Sequence, residues 1–514
     1  MLSPGLGVGG WLSHKDWFWV LLRGSISSAG RHHSWAWAWN VGFLLLISSA
    51  THHNIIPHST TPSSPPIHQA VYRFSAFPAP FTAGGVPPPV VKDSVPPQEG
   101  SRNKSPAMTE IQMYKVMLAF AILVFWTGFW VVHLIGIIYG YRRLHHRRAV
   151  SVESGEQGVL GVSILKPLVG TPMDPNLMTN LETFFNLNYP KFELLFCVQE
   201  EGDPSIMIVQ QLMKKHPHVD ASFFTGGLEV GVNPKINNMQ PGYLAAKHEL
   251  LLVSDSGLLM KEDTLTDMVA HMTPDVGIVH QMPFTCDRKG WPAILEKVYF
   301  GTGHARMYLF LGLLDTLGFG VNCCTGMSCL MRKKVLDEAG GISAFGIYLA
   351  EDYFFAKYIQ DRGWGIRIAS QPAWQNAGIC RVKIFLSRLT RWCKLRIAMV
   401  PHTILLEPLS ECMVLGLIVS WAATIVLRAD YLVFFLFHTL SWSLADWIML
   451  NIVQNGPPPF SKFEFVISWL FREVSALFIF LHAVWNPVIS WRTGSFKLRW
   501  WGVAEPVNTR VTVM

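Results

Sequence analysis

Leu250-Leu-Leu-Val-Ser-Asp255-Ser-Gly257 runs four apolar residues and a serine straight into an aspartate and a glycine. A run this short and apolar reads as a strand buried on both faces. The aspartate ending it stands at a sheet edge, and the glycine leaves backbone room for a diphosphate to approach. Comparable runs occur at 161–166, 193–199 and 276–280, and stretches with helical spacing at 176–185 and 204–215 lie between them. Strands alternating with helices predict an α/β domain with a mostly parallel sheet, whose ligands bind beyond the carboxyl ends of the strands. The polar residues that follow these strands are therefore the candidates for chemistry.

Outward from this domain the composition changes. Half of the 514 residues are hydrophobic and 15% are charged; mean hydropathy is +0.27. A soluble domain carries roughly 25% charged residues, so part of this chain faces lipid. An almost unbroken apolar segment at 116–141 is long enough to cross about 30 Å of hydrocarbon. The basic run Tyr141-Arg-Arg-Leu-His-His-Arg-Arg148 follows it directly. That flank explains the net charge of +7 better than a nucleic-acid surface does, and it places the α/β region in the cytosol. Three further apolar segments lie near 411–427, 431–453 and 463–484. Three crossings would leave the tail outside the cytosol, although Arg492, Lys497, Arg499 and Arg510 would keep it inside. The segment 307–320 is shorter and interrupted, and reads as either a core helix or one leaning on the bilayer surface.

The expected organisation is an extension at 1–107 rich in Pro, Ser, Thr and His and read as disordered, an anchor with its basic flank at 108–148, a catalytic domain at 149–400, membrane helices at 401–490 and a tail at 491–514. Eight cysteines without metal-site spacing read as reduced thiols.

Four constellations could carry chemistry. Asp203 in Cys197-Val-Gln-Glu-Glu-Gly-Asp203-Pro follows a strand and could accept hydrogen bonds from a ribose or a uracil, or simply cap a helix. Asp255 could hold Mg²⁺ or Mn²⁺ beside a leaving diphosphate. Glu351 and Asp352 open a helix, where the dipole favours acids, and a carboxylate there could remove a hydroxyl proton. Ser387-Arg388-Leu-Thr-Arg391-Trp392 could be an interfacial amphipathic helix or a phosphate clamp with a stacking ring.

The order of these motifs resembles the D, D, D, (Q/R)-x-x-R-W pattern of family-2-like inverting glycosyltransferases. Longer stretches narrow the likeness: Val162-Ser-Ile-Leu-Lys-Pro-Leu-Val-Gly170, Asn180-Leu-Glu-Thr-Phe-Phe185, Val230-Gly-Val-Asn-Pro-Lys-Ile-Asn-Asn238, Thr325-Gly-Met-Ser-Cys-Leu-Met-Arg332 and Ile489-Ser-Trp-Arg-Thr-Gly494 look like the ceramide glucosyltransferases, over roughly residues 110–505. The resemblance implies a GT-A-type domain with one N-terminal and about three C-terminal transmembrane helices. It implies transfer of glucose from UDP-glucose to the primary hydroxyl of ceramide, with inversion, on the cytosolic face of the Golgi membrane. Asp352 would be the base, and Asp203, Asp255, Lys166, Lys235, His304, Cys323, Glu351, Arg388, Arg391 and Trp392 would bind substrate or nucleotide. A divalent cation on Asp255 would be the cofactor, and the bilayer would be a partner, with no nucleic acid and with homo-oligomerisation left open. Asp-Ser-Gly in place of Asp-x-Asp leaves the metal's second carboxylate unassigned. A processive polysaccharide synthase and a non-enzymatic membrane scaffold are the rival readings.

Overall fold

The computed structural model describes residues 110–146, 159–170, 174–321, 323–491 and 494–507. The extension at 1–107 and the last two arginines of the basic run lie outside these residues.

Helices are α1 (Glu110–Arg143), α2 (Leu177–Phe185), α3 (Ser205–Lys215), α4 (Pro234–Ala245), α5 (Thr264–Ala270), α6 (Trp291–Gly301), α7 (Gly303–Thr316), α8 (Lys333–Asp337), α9 (Glu351–Asp361), α10 (Val382–Met399), α11 (Thr403–Leu409), α12 (Cys412–Val426), α13 (Tyr431–Gln454) and α14 (Lys462–Trp485). Strands are β1 (Val162–Leu168), β2 (Phe192–Val198), β3 (Ala221–Thr225), β4 (Leu250–Ser254), β5 (Leu258–Leu259), β6 (Val276–His280), β7 (Pro283–Thr285), β8 (Ser328–Arg332), β9 (Gly365–Ile368), β10 (Ala373–Gln375), β11 (Val488–Trp491), β12 (Gly494–Leu498) and β13 (Ala504–Pro506).

The main sheet has the order β3-β2-β1-β4-β8-β6-β9. Alternate residues of its strands feed two cores, as the two-residue period of a strand requires. Ile164, Leu194, Phe196, Leu250 and Leu252 meet Leu177, Leu181 and Phe184 of α2 and Val209 and Leu212 of α3 on one face. Leu165, Leu195, Leu251 and Val253 meet Ile236, Met239 and Tyr243 of α4 and Phe355 and Ile359 of α9 on the other. The expected parallel order holds among β1, β2, β3 and β4, and between β6 and β9. β8 departs from it, running antiparallel to β4 and β6. That reversal matters, because pairing of Ser254 with Ser328 brings the turn Thr325-Gly326-Met327 to the edge where β4 delivers Asp255.

Among the described residues, α1, α13 and α14 are long and apolar enough to cross a membrane, and α11 with α12 forms a fourth apolar unit bent by 81°. α7, read as a core helix or one leaning on the bilayer, packs along the last turns of α1, with Leu309 against Gly140. Its Arg306 joins an ionic node. Asp446 of α13, fully buried, pairs through Oδ1 with His133 of α1 (3.2 Å) and Arg306 (3.2 Å). Its Oδ2 meets Arg472 of α14 (3.1 Å) and accepts from Trp469 Nε1 (2.8 Å). Arg472 also pairs with Glu473 and donates to Thr302 Oγ1. Charges with so little water must be paired in this way.

The C-terminal sheet β11-β12-β13 is not a loose tail. Ile489, Phe496, Leu498 and Ala504 share a core with Leu395 and Ala398 of α10 and with Leu349, just ahead of α9. Val503 bridges Tyr348, and Lys394 Nζ donates to the carbonyl of Val488 (2.7 Å).

Candidate active site

The carboxyl edge of β4 delivers Asp255, and the β8 reversal delivers Gly326 beside it. The helix α9 begins at Glu351 and Asp352, and α4 begins at the Asn233–Pro234 step. Asn233 is a regular N-cap followed by proline at N1. Its Oδ1 accepts from the backbone N–H of Lys235 (2.8 Å), while its Nδ2 donates to Glu351 Oε2 (2.9 Å) and to the carbonyl of Tyr348 (2.7 Å). One buried asparagine thus ties the starts of two helices together.

Lys235 stands at the centre. Its Nζ lies 3.0 Å from Asp255 Oδ1, 3.0 Å from Glu351 Oε1 and 3.1 Å from the carbonyl of Gly326. Burial opposes its charge, but Asp255, Glu351 and Asp352 outweigh burial and hold its pKa above the usual lysine value. Asp352 accepts from the backbone N–H of Gly326 at Oδ2 (2.7 Å) and from that of Tyr353 at Oδ1 (2.8 Å). Burial first, and Glu351 second, push the Asp352 carboxyl up to about 6, against the pull of Lys235 and the two N–H groups. An acid that ionises near 6 is suited to general-base work close to neutral pH.

Lys166 supports this edge from beneath. It is fully buried on β1, 3.6 Å from the centre of the Phe184 ring, and its Nζ donates to the carbonyl of Asp255 (2.7 Å) and to Ser254 Oγ (3.2 Å). Burial lowers its pKa well below the usual value, with Asp255 opposing. Asp203 stands just ahead of α3, whose N-cap position is Pro204. Its carboxylate accepts from the backbone N–H groups of Gly170 (2.8 Å) and Ser205 (2.8 Å), joining the end of β1 to the start of α3. Burial raises its pKa, but those hydrogen bonds prevail and leave it below the usual value.

The remaining candidates form an aromatic wall. Trp392 stacks on His304, with ring centres 6.1 Å apart, and His304 lies 4.7 Å from Tyr308. Tyr308 donates to the carbonyl of Cys324 (3.2 Å), in the segment that carries Gly326. Burial, then Arg396 and Arg388, lower His304 to about 3, so the ring is neutral in working conditions; its Nδ1 is buried without a hydrogen-bond partner. Burial pushes the Cys323 thiol up to about 12. Arg388 turns toward Gln375 Oε1 (3.0 Å) and Glu296 Oε2 (4.0 Å), and Arg391 lies over Trp491 of the C-terminal sheet, 5.5 Å from its ring centre. The arginine–tryptophan signature divides in two: Arg388 lies over the Trp392 ring, 5.1 Å from its centre, while Arg391 turns to the C-terminal sheet.

Asn233, Gly326, Tyr308 and Trp491 belong to this site and were missed as site residues from sequence. Asn233 carried a legible signal, since Asn-Pro before a helical run announces a cap. Gly326 acts through its backbone, which side-chain patterns do not show.

For a divalent cation the donor set fits one kind of site. The Asp255 side chain is 43% exposed, and Lys235 takes one of its oxygens. Among the described residues no three His, Cys, Asp or Glu side chains are set to hold one metal ion. One carboxylate plus substrate phosphates and water suits Mg²⁺ or Mn²⁺; an all-protein cage does not form.

Residues 128–504 match the family described as glycosyl transferase family 21. Ceramide glucosyltransferase 3 of Caenorhabditis elegans is 43% identical over 392 residues, covering 76% of this chain and 83% of that protein. Ceramide glucosyltransferase 1 of the same organism is 43% identical over 388 residues, covering 75% and 81%. Among solved structures, the mannosyltransferase PcManGT from Pyrobaculum calidifontis in complex with GDP-Man and Mn²⁺ aligns at 15% identity and a TM-score of 0.41, covering 72% of this chain and 99% of that one. With a family match across most of its length, and with relatives matched over most of theirs, the chain belongs to glycosyl transferase family 21.

Proposed function

We propose that this protein transfers glucose from UDP-glucose to the primary hydroxyl of ceramide, with inversion, through a GT-A-type domain seated on the cytosolic face of the Golgi membrane. The observation that carries the reading is the Asp352 carboxyl, raised to about 6 and held by two backbone N–H groups beside the Asp255–Lys235–Glu351 group. The 43% identity to ceramide glucosyltransferases supports the acceptor.

The reaction is a single in-line displacement. The acceptor hydroxyl attacks the anomeric carbon of glucose as its proton passes to a carboxylate oxygen of Asp352. The bond from that carbon to the UDP oxygen breaks, and its electron pair leaves with the diphosphate. One displacement inverts the centre, giving the β-glucoside. Each Asp352 oxygen accepts one N–H and keeps a lone pair for the proton. Lys235 holds Asp255 and Glu351 in place, and its charge favours the ionised base before attack. A divalent cation on Asp255 would supply charge neutralisation at the diphosphate. Lys166 fixes the Asp255 backbone from below, and Asp203 fixes the loop bearing Gly170. His304, neutral and with a free Nδ1, offers an acceptor-side hydrogen bond, walled by Trp392; Cys323, its thiol protonated, lines that side as packing. Arg388 and Arg391 brace the helix that carries Trp392 and add positive potential for the nucleotide.

The test is transfer of radiolabelled sugar by purified protein to a short-chain ceramide, with UDP-glucose and UDP-galactose compared and the anomer read by NMR. A β-glucosylated lipid is expected. An insoluble polymer would point to a processive synthase, and no transfer from either donor would refute the assignment.

A further inference from the structure

Composition alone would send α14 across the membrane. The contacts of its two ends say otherwise. At its start, Glu464 and Phe460 line one cleft with Asp287, Arg288, Lys289 and Lys297 of the α/β domain. At its finish, Ala483 packs with Cys393 and Ile397 of α10, and α10 shares a core with Leu349 of the same domain. Between them, Trp291 of α6 meets Phe471 with ring centres 5.0 Å apart. α13 reaches the domain at its own end, where Gln454 Oε1 accepts from Lys297 (2.7 Å). α1 and α13 run parallel, Trp126 beside Phe434 and Gly140 beside Ile452, so both finish on the domain's side. α12 leads outward and α13 returns, and α14 begins where α13 finished and ends against α10.

The surface of α14 has the matching pattern. Phe465, Ser468, Trp469, Arg472 and Glu473 are buried against the domain and the ionic node, while Leu470, Val474, Leu477, Phe478, Leu481 and Val484 form an exposed stripe at spacings of three and four. One flank is packed on protein and the other is apolar and open, as for a helix with a single face to lipid.

The C-terminal sheet extends that face. Val488, three residues after Trp485, pairs with Lys497, three residues before Trp500, so the end of α14 and the turn Arg499–Val503 leave the same end of the hairpin. Trp485, Trp500 and Trp501 are 90%, 59% and 71% exposed. Trp501 adopts a φ of 71°, a left-handed conformation unfavourable for a bulky side chain. The inner side of the turn is fixed: Gly502, at φ 84°, sits where a Cβ would come within 2.8 Å of Phe354 in α9 and 2.9 Å of Met399 in α10.

We propose that α14 does not cross the membrane but lies in its domain-side face, and that Trp485, Trp500 and Trp501 sit together at the headgroup level of that bilayer. The partner is the lipid interface itself, and the turn holds Phe354, two residues beyond Asp352, at a set height above it. Two crossings, by α12 and α13, then follow the domain. Lys497 and Arg499 remain on the domain's side, where the positive-inside rule puts them.

The experiment uses the full chain in sealed vesicles, with membrane-impermeant labelling of reporters placed in the loop at 455–459 and after residue 507. Both reporters are expected on the same side as a reporter in the segment joining α1 to β1; opposite sides for the two would overturn the proposal. A fluorescent amino acid at position 501 is expected to be quenched by lipids brominated near the headgroup and shielded from aqueous iodide, and the reverse pattern would overturn the anchor. Neither readout depends on catalysis, so a failure of the ceramide assignment would show separately. W500S/W501S is expected to lower transfer to vesicle-borne long-chain ceramide about five-fold while leaving transfer to short-chain ceramide in micelles unchanged. Equal loss with both acceptors would refute the anchoring role.

Discussion

Replacing Lys235 with methionine isolates the electrostatics of the base. Lys235 Nζ and Asp352 Oδ2 both contact Gly326, and each lies 3.2 Å from where a Cβ on that glycine would stand, so they are at most about 6 Å apart. Unit charges about 6 Å apart at an effective dielectric constant of about 20 interact by about 3 kcal/mol, equivalent to about two pKa units. Partial solvent access at this edge reduces the expectation to between about one and two units. Asp352 works ionised, so activity rises as pH climbs through its pKa, near 6 in the intact protein. Without the ammonium the carboxyl is harder to ionise, and the acid limb of kcat/KM moves to between about pH 7 and 8. The assay is glucosyl transfer to short-chain ceramide from pH 5 to 9, with thermal unfolding measured alongside. K235R is expected to keep the limb near its original position. An unmoved limb in a folded K235M protein would refute the idea that Lys235 sets the ionisation of the base.

Other substitutions probe separate links. D352N removes the proton acceptor and should reduce kcat by about 10²–10⁴ with little change in UDP affinity, read by steady-state kinetics and UDP titration. N233A uncaps α4 and frees Glu351 at once, so a loss of about 0.5–2 kcal/mol in stability should come with a fall in kcat; unfolding without the kinetic effect would separate the two roles. G242A would place a Cβ 2.6 Å from Cys197 Sγ and 2.9 Å from Leu165, and overpacking of about 1–3 kcal/mol should appear as a lowered melting temperature. His304, held neutral down to about pH 3 by burial and nearby arginines, should show no NMR titration between pH 5 and 8, whereas an exposed histidine would titrate near 6.5.

The apolar strand ending at Asp255 read correctly because both of its faces are buried, which leaves a plain signature. The α2 and α3 segments were legible for the complementary reason, one apolar flank each. The β8 reversal was not, since an antiparallel strand between parallel neighbours has the same apolar composition and only pairing reveals its direction. Asp352 and Asp255 were visible as acids at element ends. Their organiser, Lys235, could be named from sequence, but its contacts depend on α4 and the end of β4 meeting α9, which starts over a hundred residues beyond Lys235. Arg388 and Arg391 read as one clamp in the sequence, and the helix they share points them at Glu296 and Trp491 respectively. The C-terminal sheet read as a tail because its strands are four, five and three residues long, too short to announce themselves.

The ionic node around Asp446 also bears on the order in which the chain is made. α1 emerges first, bringing His133, and α7 brings Arg306, so both partners of Asp446 Oδ1 precede α13 out of the ribosome. Asp446 therefore meets countercharge as soon as its helix leaves the translocation machinery, and need not wait in lipid as a bare anion. α14 comes last and carries Arg472 next to Glu473, a pair that neutralises itself until Asp446 can share the guanidinium. Its docking completes the partners of Asp446 and seats the helix beneath the catalytic domain.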